Sequence, residues 1–157
     1  MTTLQSAPRR RRAVAAAGAV TAGLLVLTAC DKPTPIATIT VGKDSVHSEA
    51  MCYNDGKVLD TKSLTKCAKK TDAKSIKVDT DETVRFGVDP KIADSGWAVL
   101  VNGQQFTDYS KKTYRTIPGS AFFNSQYGTG GSTNVVSIKM GEKTAKGVWS
   151  FKFKKAS

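Results

Sequence analysis

Hydrophobic and polar residues alternate along most of this 157-residue chain. The segment "ETVRFGV" places Val84, Phe86 and Val88 on one side and Thr83, Arg85 and Gly87 on the other. "VWSFKFKK" repeats the pattern, with Trp149, Phe151 and Phe153 inward and Ser150, Lys152 and Lys154 outward. A period of two over such lengths marks a strand with one face buried. Similar signals predict strands over 36–41, 46–53, 75–78, 97–101, 114–117 and 135–140. Turn chemistry separates them: Asn54-Asp55-Gly56, Asp89-Pro90, Asn102-Gly103, Pro118-Gly119 and Gly141-Glu142. Asn102-Gly103 is the strongest hairpin signal, because a two-residue type I′ turn needs positive φ at both positions. Seven or eight short strands at this spacing predict an all-β fold, a two-layer antiparallel β-sandwich.

Two stretches depart from the alternation. "DTKSLTKCAKK" offers Asp60 or Thr61 as an N-cap and sets Leu64, Cys67 and Ala68 on one helical face, which predicts a short helix. "YGTGGSTN", residues 127–134, reads as the most flexible loop. Its glycines do not follow the phosphate-cradling pattern and no helix comes after them, so a mobile strand connection is expected.

The first thirty residues are of another kind. Arg9 to Arg12 form a basic block, residues 13–27 an apolar run rich in Ala and Leu, and Thr28-Ala29 a small pair before Cys30. Those are the three regions of a secretory signal peptide. Leu27-Thr28-Ala29-Cys30 resembles the lipobox of bacterial lipoprotein precursors. The resemblance implies a diacylglyceryl group on the Cys30 thiol and cleavage between Ala29 and Cys30. An uncleaved membrane helix would need roughly 20 apolar residues, and this run is shorter and diluted by Gly18 and Gly23. The residues after the arginines are not the hydrophobic ones that twin-arginine export requires, which favours ordinary secretion. The expected organisation is a leader over 1–29, a lipidated N-terminus and short tether over 30–35, and one domain over 36–157.

Lipidation also resolves the thiol parity. Three cysteines leave one odd thiol in an exported protein. With Cys30 acylated, Cys52 and Cys67 remain as a pair in a compartment where disulfides persist. A bridge closing a loop of about 15 residues contributes roughly 3 kcal/mol on the chain-entropy model. It would pin the short helix to the sheet. A reactive or metal-binding thiol pair is the rival, but the C-x-x-C spacing is missing.

Charge narrows the partners. The whole chain carries 24 basic and 13 acidic side chains; without the four leader arginines the formal net charge is +7. Only Arg85 and Arg115 are then guanidinium groups, which argues against nucleic acid, where bidentate contacts favour Arg. The partners expected are membrane lipid through acylated Cys30 and anionic lipid or cell-wall polymer through lysines. Lys152, Lys154 and Lys155 on the outward face of the last strand are the membrane-facing candidates, against the plainer view that they solubilise a sheet edge. No protein partner is legible.

Catalytic chemistry is harder to find. The mature chain has one histidine, His47, and no Ser-His-Asp set can be singled out. Asp79, Asp81 and Glu82 cluster in "DTDE", but the calcium-loop pattern ending in a bidentate Glu is missing. A copper-handling alternative would use His47, Met51 and Cys52, although a blue-copper site needs a second His. No catalytic residue, metal site or cofactor is therefore assigned. Strand count and Trp97 at the start of a central strand resemble an immunoglobulin-like sandwich, whereas the local Cys52–Cys67 loop differs from that family's inter-sheet bridge. From its arginine-rich leader to its aromatic last strand, the chain resembles small uncharacterised lipoproteins of actinobacterial envelopes. That resemblance implies a lipid-anchored, non-catalytic binding or envelope-organising module on the outer face of the cytoplasmic membrane.

Overall fold

The alternating segments resolve into two facing β-sheets in the computed structural model, which describes residues 33–68 and 72–157. The first sheet contains β1 (Ala37–Val41), β2 (Asp44–Ser48), β5 (Thr83–Val88) and β8 (Tyr114–Pro118), in the order β2-β1-β5-β8. The second contains β3 (Cys52–Tyr53), β4 (Lys74–Val78), β6 (Trp97–Val101), β7 (Gln104–Gln105), β9 (Thr133–Met140) and β10 (Gly147–Lys155). Its order is β3-β10-β9-β6-β7, with β4 also paired to β10. The sandwich expected from the pattern is thus present, with ten strands among the described residues. One pairing breaks the antiparallel rule: β4 runs parallel to β10, from Lys74 opposite Phe151 to Val78 opposite Lys155.

The inward residues are those the period of two selects. Val84 and Phe86 of β5 and Trp149, Phe151 and Phe153 of β10 are fully buried. Phe122, from a 3₁₀ turn over Gly119–Phe123, inserts between the sheets. Its ring lies 4.9 Å from Phe153 and 5.9 Å from Phe86, within the range where tilted aromatic pairs attract. Burying side chains of this size stabilises by about 1.5–3 kcal/mol each, so this layer is the main source of cohesion.

The predicted strand over 46–53 is two strands in different sheets. β2 ends at Ser48 and β3 starts at Cys52, so the chain changes sheets across Glu49, Ala50 and Met51. Met51 N–H bonds to the Val148 carbonyl at 2.8 Å, and Ala50 N–H to Thr34 Oγ1 at 3.1 Å. Ala50 and Met51, half-buried at the corner, thus keep hydrogen-bond partners for their N–H groups. Thr34 and Pro35, assigned to the tether by pattern, are held by the domain: the Pro35 carbonyl accepts from Trp149 Nε1 at 2.7 Å.

The helix between the cysteines is α1 (Thr61–Ala68). Asp60 is its cap, accepting Ser63 N–H at 2.7 Å and the Ser63 hydroxyl at 3.1 Å. A second helix, α2 (Pro90–Asp94), stands where the sequence reads only as a turn. Pro90 at its first position is pre-set for helix, while Ile92 and Ala93 are buried and hold it to the core. At Asn102-Gly103 the hairpin is as expected, with φ of 50° and 83° at the two residues. Its return strand is the two-residue β7.

Candidate functional site

Among the described residues, every lysine that lies within a strand belongs to the six-stranded sheet: Lys74, Lys77, Lys139, Lys152, Lys154 and Lys155. None of the six strands carries Asp or Glu. The four-stranded sheet holds instead Asp44, His47, Arg85 and Arg115. Positive charge is thereby concentrated on one layer of the sandwich.

Register decides which of these lysines share a face. Lys154 lies opposite Lys77, and Lys152 opposite Ser75, across the parallel pair β4–β10. On the other flank Lys152 faces Val135, which is 41% exposed. The outward row therefore combines three ammonium groups with an apolar side chain. Of these, Lys77 and Lys154 are directly opposed, and like charges so placed repel. Lys139 lies further along the same face, where its Nζ donates to the Tyr109 hydroxyl at 2.7 Å and stands 5.3 Å from that ring's centroid.

The expected lysine trio needs two corrections. Lys155 shares the parity of Phe151 and Phe153, so it belongs to the inward series and is exposed only because β10 runs past the core there. In addition, β10 is an interior strand flanked by β9 on one side and by β3 and β4 on the other, so its lysines do not protect a sheet edge. Pattern missed Lys77 as a member. It alternates outward between Ile76 and Val78, but only the pairing of β4 with β10 places it beside Lys154.

Cys52 and Cys67 form the disulfide, with Cα atoms 5.9 Å apart, inside the range a bridge requires. It joins α1 to β3 as expected. Cys30 and the cleavage site at Ala29 lie outside the described residues, as does the apolar run before them. Among the described residues, no helix is long and apolar enough to cross a membrane.

The other chemistry-bearing residues do not converge. His47 is exposed on β2, in the four-stranded sheet, while Cys52 is in β3 of the other sheet and oxidised. The sheet change at 49–51 thus divides the set that a copper site would need. Asp79 accepts Asp81 N–H through Oδ1 at 3.0 Å and Glu82 N–H through its carbonyl at 3.3 Å, which is turn chemistry. Among the described residues no three His, Cys, Asp or Glu side chains gather into a metal site.

The glycine-rich loop is hydrogen-bonded to its surroundings through side chains. Thr129 and Asn134 are buried polar residues. Asn134 Nδ2 donates to the carbonyls of Phe122 at 2.7 Å and Thr129 at 2.9 Å. Its Oδ1 accepts from Asn102 Nδ2 at 2.8 Å. The loop is cross-tied to the Asn102-Gly103 hairpin, and its buried backbone groups are satisfied by these side chains.

Comparison with protein-family models, with curated proteins and with solved structures finds no match.

Proposed function

We propose that this chain is a lipid-anchored extracytoplasmic protein whose β-sandwich is a non-catalytic binding or envelope-organising module, seated with its six-stranded sheet against an anionic surface. The observation that carries the reading is the one-sign sheet: six strand lysines, no strand carboxylate, and the outward row Lys77, Lys152 and Lys154 beside Val135. Leu27 to Cys30 supplies the anchor, two acyl chains being enough for stable attachment. Because Thr34 is already hydrogen-bonded to the domain, the chain from Cys30 to Thr34 can span at most about 15 Å even at full extension. Over that reach the domain stays close to the headgroups. The lysines then fix its orientation, each adding about 1 kcal/mol towards anionic lipid.

Two measurements test the two halves separately. Metabolic labelling with an acyl precursor should mark the wild-type chain and leave Cys30→Ala unmarked; label retained on the variant overturns the anchor. The unlipidated compact unit, Lys32–Ser157, contains all the described core and serves for vesicle sedimentation. It should bind vesicles containing anionic lipid and release them with added salt. The triple change of Lys77, Lys152 and Lys154 to Glu should abolish binding, while Lys155→Glu should have a smaller effect. Equal behaviour on neutral and anionic vesicles overturns the orientation.

A further inference from the structure

Among the described residues, β8 is a terminal strand of the four-stranded sheet and pairs only with β5. Its register sets Ile117 opposite Val84, Arg115 opposite Phe86 and Tyr114 opposite Gly87. The bonds just beyond the strand fix which residues turn toward β5: Val88 N–H donates to the Thr113 carbonyl at 2.8 Å, and Gly119 N–H to the Glu82 carbonyl at 2.7 Å. In an antiparallel ladder the bonded positions alternate, so Thr113, Arg115, Ile117 and Gly119 face β5. Tyr114, Thr116 and Pro118 therefore direct their main-chain groups over the open edge. Among the described residues, the Tyr114 and Thr116 N–H groups have no hydrogen-bond partner.

The surroundings of this edge are shaped and held. A concavity of about 440 Å³ is lined by Ser110, Lys112, Tyr114, Arg115 and Thr116, two cations and no carboxylate. A second, of about 510 Å³, borders the same strand, with Phe106 and Ile117 as its apolar residues and Asp108 and Arg115 as its charged ones. Both are tied to the buried Trp97. Its Nε1 donates to the Lys112 carbonyl at 2.8 Å, its main chain exchanges 2.9 Å bonds with Ser110, and the Arg115 guanidinium lies 5.5 Å from its ring centroid. Arg115 Nη1 also donates to the Asp108 carbonyl at 2.8 Å. On the outer face, exposed Arg85 stands directly opposite Thr116.

We propose that the open edge of β8 is a docking site for an extended acidic peptide segment of a protein partner, added as a further strand. Main-chain bonds to Tyr114 and Thr116 would supply affinity, and the side chains of alternate residues would supply specificity. Those on the outer face meet Arg85 and Lys112, which favours Glu or Asp; those on the inner face meet Phe106 and Ile117, which favours an aliphatic residue. Pro118 has no N–H to give and ends the register. Charge complementarity selects the acidic segment, and the strand-spaced donors and acceptors select a peptide over an anionic glycan. The inference does not depend on lipid anchoring.

A fluorescent seven-residue peptide of alternating Glu and Val is the probe, with an alternating Lys and Val peptide as control, titrated against the full chain in neutral detergent. The Glu peptide should bind saturably and at least tenfold more tightly than the Lys peptide. Amide exchange at Tyr114 and Thr116 should slow at least tenfold on saturation. Thr116→Pro removes an edge-facing N–H that the sheet does not use, as edge strands tolerate, and should raise Kd at least tenfold; Lys112→Glu should raise it about threefold. Failure of the Glu peptide to bind, binding without protection of those two amides, or an unchanged Kd in Thr116→Pro overturns the proposal. So does capture of an anionic polysaccharide in place of the peptide. If Thr116→Pro does not fold, the exchange measurement on the wild-type chain decides alone.

Discussion

The indole Nε1 of Trp149 donates a 2.7 Å hydrogen bond to the carbonyl of Pro35, 114 positions earlier in the chain. The bond is buried, and it couples the start of the domain to β10, an interior strand of the six-stranded sheet. Close packing makes the arrangement selective: a Cβ on Gly147 would stand 2.6 Å from the Trp149 ring.

Trp149→Phe keeps an aromatic ring but strands the Pro35 carbonyl. An unsatisfied buried acceptor costs about 1–3 kcal/mol, and the smaller ring leaves space that the core fills only in part. The expected loss is about 2–4 kcal/mol, measured by denaturant unfolding. Gly147→Ala should also destabilise, by displacing the same indole. A Trp149→Phe domain as stable as the wild type would show that the bond contributes little.

The disulfide should act locally. Cys52→Ser with Cys67→Ser removes a constraint on a loop of about 15 residues, for which roughly 3 kcal/mol is expected. β3 has only two residues and α1 only eight, so the loss should appear first as faster amide exchange in α1 and β3. Exchange in β9 and β10 should change only through the global stability. Uniform acceleration with no early loss in α1 would contradict the local role.

How much of this was legible in the sequence depends on the range of the interaction. Val84, Phe86, Trp149 and Phe153 declared their inward faces because alternation along one strand is local. Asp60 and Asn102-Gly103 were equally plain, since capping and turn chemistry act within a few residues. Pairing was not plain. Nothing within "KSIKV" states that Lys77 will stand opposite Lys154 in a parallel pair, and so the basic face was read as a feature of one strand. The break between His47 and Cys52 was also hidden, because both sides of the corner continue to alternate. α2 was missed because Asp89-Pro90 is as good a helix start as a turn. The loop at 127–134 differs for another reason: its glycines suggest freedom, whereas the ties that cross it come from two buried side chains, Thr129 and Asn134, whose partners are not neighbours in the pattern.

That last contrast is open to measurement. Asn134→Leu preserves approximate volume but leaves the carbonyls of Phe122 and Thr129 and the Asn102 amide without their partner. Since each such buried group is costly to leave unpaired, a loss of about 2–4 kcal/mol is expected. On thermal unfolding this is a fall of roughly 10 °C. Amide exchange across 124–131 should rise before the global transition. An unchanged loop in Asn134→Leu would mean that the 3₁₀ turns over Gly119–Phe123 and Ser125–Tyr127 hold it without the side chain.

The helix cap gives a pH dependence whose sign follows from its hydrogen bonds. Ser63 N–H, and after it the Ser63 hydroxyl, favour the ionised Asp60 carboxylate and hold its pKa below the ordinary value. A carboxyl lowered in this way contributes stability that is present above its unfolded pKa and lost as pH falls through the folded one. The first turn of α1 should therefore be intact at neutral pH and begin to loosen below about pH 4. Cys67 remains bridged to Cys52 in acid, so the change should be confined to the N-terminal turn. Asp60→Asn retains a capping oxygen without the titration, whereas Asp60→Ala removes both. The Ser63 amide shift, followed by NMR from pH 7 to 2, should move in the wild type, stay flat in Asp60→Asn, and start from the uncapped position in Asp60→Ala. The same acid-induced movement in Asp60→Asn would assign the titration to another carboxylate.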